Sequence, residues 1–441
     1  MKIRSLILAA FVLLVLVGSL YWSEHKKPSD DAEKASAATA PSILKLDSAA
    51  ITKLELKRKD AEPVVLSKND SGIWQITQPK MVNADQSAVS SAVSTLSSLN
   101  SERLVDDKSS NLKQYGLDQP AVEVDITEKD NKAQKLLIGD TTPTGNASYA
   151  MLAGDPRVFT IANYTKSGID KSLNDLRDKR LLTVSSDRIS RIELTRKNQT
   201  IEFGRDKNEW QILKPKPSRA DSLQVDDLAR KLTDARMDLS GPDQGVQKPA
   251  VAFARATPVA TAKVTDQSGT QELQIRKEKD TYYAKSSAVE GTYKVDSSLA
   301  QAVDKNLDDF RNKKLFDFGF DDPGNVEMQT AAKTYFLTKG GADWWSNGKK
   351  MDAESVESLI SDLRDLAASK FLEAGFANPT IEIKVKSDGG KRMESVSIAK
   401  SGAGYIAKRE DDSTLYQIDA SSMDAALKAA DDIKPAATNS K

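Results

Sequence analysis

Carboxylates are the only side chains here with both the number and the chemistry for acid–base work. Three adjacent pairs stand out: Asp106-Asp107, Asp321-Asp322 and Asp411-Asp412. A hydrolase needs two such groups converging on one bond, and glycosidase carboxylates come from separate elements. Neighbours in a turn rarely converge, so these pairs read as solvated turn residues. The other reactive types are nearly missing. There is no Cys, and the one His is His25. A thiol nucleophile, a disulfide and a Cys-ligated metal are thereby excluded, as is a multi-His site or His-dependent triad within one chain. No Walker-type loop, no G-x-G-x-x-G after a strand and no G-x-S-x-G elbow occurs. Gly402-Ala-Gly404 reads as a hairpin turn. The sequence therefore assigns no catalytic residue, no cofactor and no metal site, and a non-enzyme is expected.

The aromatics are the remaining candidates for recognition. Trp74 with Ile76, and Trp210 with Ile212, alternate onto one face of a strand, as core residues do. Trp344 and Trp345 are adjacent, so they must face opposite sides of theirs. One should be core and the other should reach the surface or a module joint. Tyr282, from the pair Tyr282-Tyr283, is a contact candidate by the same argument.

The elements that must carry these residues are repeated. Ile51-Thr-Lys-Leu-Glu-Leu matches Ile189-Ser-Arg-Ile-Glu-Leu, and Trp74-Gln-Ile-Thr-Gln-Pro-Lys matches Trp210-Gln-Ile-Leu-Lys-Pro-Lys. Leu173-Asn-Asp-Leu-Arg-Asp-Lys-Arg matches Leu307-Asp-Asp-Phe-Arg-Asn-Lys-Lys. A third, more diverged copy has Val326-Glu-Met and Trp344-Trp345 in the corresponding places. Register at a near-constant offset marks tandem modules. In every copy an Asp (Asp85, Asp221, Asp352) precedes apolar residues at +4, +7, +8 and +11. That spacing predicts an amphipathic helix capped by the Asp. Alternating strands open near Pro120, Pro258 and Pro379, and a closing helix ends each module. The fold class is α+β: three tandem modules, each an antiparallel sheet with two helices on one face.

The basic stretch Arg177, Lys179, Arg180 recurs as Arg311, Lys313, Lys314 but not in the third copy. It reads as a connector, with Phe316 buried between modules two and three and Arg311, Lys313 and Lys314 solvated around it.

Ahead of the modules, residues 6–22 form an uncharged run, LILAAFVLLVLVGSLYW, after Lys2 and Arg4. At about 1.5 Å per residue it reaches roughly 25 Å, near the short end for a bilayer span. The leading charges favour a cytoplasmic N-terminus and an exported body. An uncleaved anchor in the cytoplasmic membrane is expected, with a cleaved signal peptide as the alternative. Residues 23–43, rich in Ala, Ser and Pro, read as a flexible linker holding His25. The modules are expected at 44–182, 183–315 and 316–435, with a disordered tail at 436–441. Lys+Arg and Asp+Glu balance at 64 each, which argues against a nucleic-acid partner.

The anchor, the Ile-x-x-Ile/Leu-Glu-Leu strand, the Trp-Gln-Ile-x-x-Pro segment and the Leu-x-Asp-Leu/Phe-Arg-x-Lys connector resemble the bacterial family called domain of unknown function 4340. The likeness runs from Leu44 to about Phe316. It implies an envelope protein, for some members one encoded near gliding-type ABC transporter parts, and it supplies no catalytic residue. Together these readings lead to a membrane-anchored scaffold or adaptor with its body in the periplasm, bound to an envelope protein. A periplasmic glycan or lipid binder is the alternative, and a carboxylate-dependent hydrolase is more remote.

Overall fold

Each copy of the Ile/Leu-Glu-Leu motif becomes the central strand of its own sheet. In Ile51–Arg58 the buried residues are Ile51, Leu54 and Leu56, and the residues between them face outward. This strand pairs antiparallel with Val122–Glu128, setting Leu54 against Ile126 and Leu56 against Val124. The second copy repeats the register: Ile192 lies opposite Val264 and Leu194 opposite Ala262. In the third, Val326 lies opposite Val385 and Met328 opposite Ile383. A register slip of one residue would turn each apolar set into solvent.

The computed structural model describes residues 41–206, 209–240, 247–318 and 323–437. It contains three antiparallel sheets of nine, eight and nine strands. From each central pair, strands of the first half step outward to one edge and strands of the second half to the other; in the first and third sheets the short strands Arg103–Asp106 and Lys370–Leu372, which follow the first helix, cross over to close the far edge. One helix bridges the halves: Gln86–Ser97, Ser222–Thr233 and Ala353–Asp365. Its +4, +7, +8 and +11 residues are all buried against the sheet. The capping Asp does what the spacing requires. Asp85 accepts from the N–H of Ser87 and Ala88, Asp221 from Leu223 and Gln224, and Asp352 from Ser355. Such a cap is worth about 1 kcal/mol. The backbone N–H of each cap also donates to the closing segment, to the carbonyls of Leu176, Phe310 and Lys434. The third copy thus keeps the closing contact without the basic stretch.

Three main cores result, one per sheet, and module one holds a small further cluster of Leu117, Met151 and Val158. By contacts the chain divides into two units, one ending at Lys179 and one starting at Arg180. The first holds module one, and the second holds modules two and three.

Several expectations need correction. The closing helix is continuous only in the third copy, as Ala420–Asp431. In the first two it splits into Asn163–Ile169 plus Leu173–Leu176, and Ser297–Val303 plus Leu307–Phe310. The restarts are local: Asp175 accepts from the Ser172 N–H at 2.8 Å, and Asp309 from the Asn306 N–H at 2.7 Å. Module two adds a helix, Gln247–Arg255, that periodicity did not suggest.

Module boundaries also fall earlier than expected. Ile43, placed in the linker, is 6% exposed and packs in the first core. Leu181 and Leu182 pack in the second core, and Leu315 in the third. Each opening segment pairs with residues just after its own module's first helix: Ser42 with Asn100, Arg180 with Arg236, Lys314 with Ala367. Those hydrogen bonds carry the following apolar pair into the new core.

Among the described residues, no helix is long and apolar enough to cross a membrane. Residues 6–22, His25 and Asp321-Asp322 lie outside the described residues.

Candidate functional site

The sheet pleat separates the two tryptophans. In the strand Asp343–Ser346, Trp344 enters the third core and is 5% exposed, whereas Trp345 is 40% exposed. Trp345 lies opposite Thr338 on the neighbouring strand. Its indole runs over Gly340, where an added side-chain carbon would sit 3.1 Å from the ring nitrogen. Phe336, also exposed, shares the outward parity of Thr338 on Thr334–Gly340. Tyr282 belongs to the second sheet, half-buried against that core, with Lys277 Nζ 5.2 Å from its ring centre. The structure therefore places Tyr282 and the tryptophans on different sheets.

The outer sheet faces are charged. The motif glutamates lie opposite Asp125, Lys263 and Lys384 from Glu55, Glu193 and Glu327 respectively. In module one, where the facing residue is an acid, Lys57 lies between Asp125 at 2.7 Å and Glu123 at 3.1 Å. The hydrogen bond to Asp125 is the main cause holding the Lys57 amine protonated beyond its usual range.

The connector is the most elaborated segment. Phe316 is 1% exposed and packs within the third core, beside Phe318, rather than between two cores. Lys313 and Lys314 are exposed. Arg311 is not solvated as expected but 9% exposed. Its guanidinium lies 5.1 Å from the ring centre of Phe371, which stacks edge-on with Tyr416, and it donates to Asp308 at 3.0 Å. A flat cation on an aromatic face can be buried at low cost.

Next to it lies a charge network that the sequence reading did not single out. Arg409 and Glu394 are each 3% exposed by side chain and meet at 3.0 Å. Arg409 also donates to the Leu315 carbonyl and, at 2.9 Å, to Asp411. Burial opposes the Arg409 charge, but Asp411 and Glu394 outweigh it and keep the group firmly protonated. Arg409 in turn overcomes desolvation at Asp411, whose pKa falls. Asp412 is buried, contrary to the expectation of a solvated turn pair. It accepts from the Tyr416 hydroxyl at 2.7 Å and from the Thr414 N–H at 2.9 Å. The adjacent carboxylates thus point to different partners and do not converge. Glu394 and Arg409 could have been noticed: each sits at a core-facing position of an alternating strand, in step with Val396 and Ile398 or with Tyr405 and Ala407. Among the described residues, no group of three or more acidic or His side chains is arranged to hold a metal ion.

One family profile, described as a domain of unknown function (DUF4340), matches residues 74–250 and again 210–380. The two matches together span well over half of the 441 residues. The chain belongs to the DUF4340 family. Both matches begin on the motif tryptophan, Trp74 or Trp210. A DUF4340 unit therefore starts inside one structural module and runs into the next. It begins later than the likeness read from Leu44 and reaches further, into the third copy. No curated protein and no solved structure matches the chain.

Proposed function

We propose that this DUF4340 protein is a non-enzymatic scaffold or adaptor of the bacterial envelope. In this reading residues 6–22 anchor it in the cytoplasmic membrane and the three modules lie on the outer side. Its partner is an envelope protein, with an ABC-type transporter assembly as the first choice. The observation that carries the reading is the use made of the candidate chemical groups. Asp85, Asp221 and Asp352 cap helices, Asp411 and Asp412 hold Arg409 and Tyr416, and Trp344 fills a core. What faces outward includes charged sheet surface and, on the third sheet, the exposed Phe336 and the half-exposed Trp345. Repeated modules with such faces suit extended protein contact.

Two measurements test it. A reporter active only outside the cytoplasm, fused after Lys441, is expected to be active while the mature chain keeps residues 1–22. Cross-linking in intact membranes, followed by purification, should recover a second envelope protein. An inactive reporter, or recovery of the bare chain alone, defeats the proposal.

A further inference from the structure

The strongest unabsorbed feature is the charge network around residues 311–318, because it grips the connector from both modules at once. From module two, Arg219 donates to the Lys314 carbonyl at 2.7 Å and pairs with the Asp317 carboxylate. Asn312 donates to the other Asp317 oxygen at 2.9 Å. From module three, Glu394 accepts the Asp317 N–H at 3.0 Å, and Arg392 donates to the Asp317 carbonyl at 2.9 Å. Arg409, behind Glu394, holds the Leu315 carbonyl. Arg392 also crosses directly to Glu209 of module two at 3.0 Å. Thus Asp317 has its carboxylate held by one module and its N–H and carbonyl held by the other.

We propose that this network makes modules two and three a single rigid body, with residues 311–318 acting as a clamped splint and not as a hinge. Linked domains move relative to one another unless their interface is extensive or well fixed. Here the fixing is polar and directional. An Arg fork that meets both a carbonyl and a carboxylate sets angle as well as distance. In the opening segment of module two, Ser286 holds the Leu181 carbonyl and Gln271 accepts the Thr183 N–H at 2.9 Å. Across the joint, Asp317 is tied to Arg219 and Arg392 to Glu209. Contacts likewise place both modules in one unit beginning at Arg180. The inference stands whether or not the scaffold reading holds.

The chain has no Cys, so two introduced thiols can be spin-labelled without background. Asp280→Cys in module two and Ala403→Cys in module three are both at exposed turns. In the full chain, the distance distribution between the labels is expected to be one narrow peak. Arg219→Gln with Arg392→Gln should broaden it, with loss of amide-exchange protection at Leu315 and Asp317 while the helix Ala353–Asp365 stays protected. Arg392→Gln alone, at a site 40% exposed, guards against misfolding and should broaden the peak less. A broad distribution in the unsubstituted chain would overturn the proposal, and so would a narrow one that survives the double change.

Discussion

Removing Arg409 should be among the most damaging single changes in the third module. Its side chain and that of Glu394 are each 3% exposed and 3.0 Å apart. Arg409→Met keeps the aliphatic bulk but leaves the Glu394 carboxylate buried with only the Asp317 N–H as a donor. Breaking one side of a buried ion pair costs about 3–5 kcal/mol, most of it the uncompensated charge. Glu394→Gln is milder. The amide oxygen can still accept from Asp317, and Arg409 retains Asp411 at 2.9 Å, so about 1–3 kcal/mol is expected. The double variant Arg409→Met, Glu394→Gln carries no stranded charge. It should be more stable than Arg409→Met alone, and the shortfall from additivity should be about 1.5–3 kcal/mol. Urea unfolding followed by far-ultraviolet circular dichroism gives these numbers from midpoints at constant slope. Thermal midpoints should fall by about 2–4 °C for each kcal/mol in a body of this size. If the two single changes simply add, or if Arg409→Met costs less than about 1 kcal/mol, the pair is not stabilised by mutual charge and the reasoning fails.

Phe316→Ala should cost about 3–5 kcal/mol, and the loss should fall on the third module, because the ring lies in that core. Lys313→Gln with Lys314→Gln should change stability by no more than about 0.5 kcal/mol; chemical denaturation separates the two cases. Trp344→Ala should destabilise by about 3–5 kcal/mol. Trp345→Ala should leave stability nearly unchanged and abolish most of the iodide quenching of tryptophan fluorescence in module three. The Tyr405 hydroxyl, driven up by burial and by its 2.7 Å bond to Asp424, ionises at about 12 in place of 10.0. Because the folded value is raised, its stabilising contribution is intact below pH 10 and is lost as pH rises through 12. An ultraviolet titration of Tyr405→Phe should lack one late-ionising phenol; loss of a group titrating near pH 10 would contradict the assignment.

The repeated architecture was legible because it rests on local chemistry. The Asp cap and its four apolar positions are set within one helix, and the buried/outward alternation of Ile51–Arg58 within one strand. Both survive divergence of the third copy, where Val326-Glu-Met still forms a central strand. The module ends were less legible because they are fixed by pairing at a distance. Leu181 joins the second core through its N–H bond to the Ala235 carbonyl, and Leu315 the third through Leu366. A chain-order reading sees instead the continuous Leu-x-Asp-Leu-Arg-x-Lys run, and it cuts after Leu182 and between Leu315 and Phe316, where the structure carries both residues of each apolar pair into the following core. The added helix Gln247–Arg255 was hidden for another reason: the corresponding place ahead of the Pro120 strand in module one holds only a single short turn of helix, Leu112–Tyr115.

The charge network shows where one-dimensional reading stops and what would extend it. Parity alone places Glu394 and Arg409 inward, and an inward charge without a partner would be prohibitive. Two inward charges of opposite sign on successive hairpin strands therefore imply one another, and the register confirms that Arg409 lies opposite Val396, two residues from Glu394. Sequence could have carried the argument that far. It could not have supplied Arg219 or Glu209, whose own strands give no sign of burial or unmet charge. Their involvement follows only from the path of the connector, which brings Asp317 within reach of Arg219 while Glu394 and Arg392 hold its backbone. The same limit applies to Arg311. Its place in a basic run marks it as solvated, and only the position of Phe371 makes it a buried stacking residue. In this family member, then, sheet and helix are written locally in each copy. The joint of modules two and three is written in pairs of residues that lie 98 positions apart for Arg219–Asp317 and 183 apart for Glu209–Arg392.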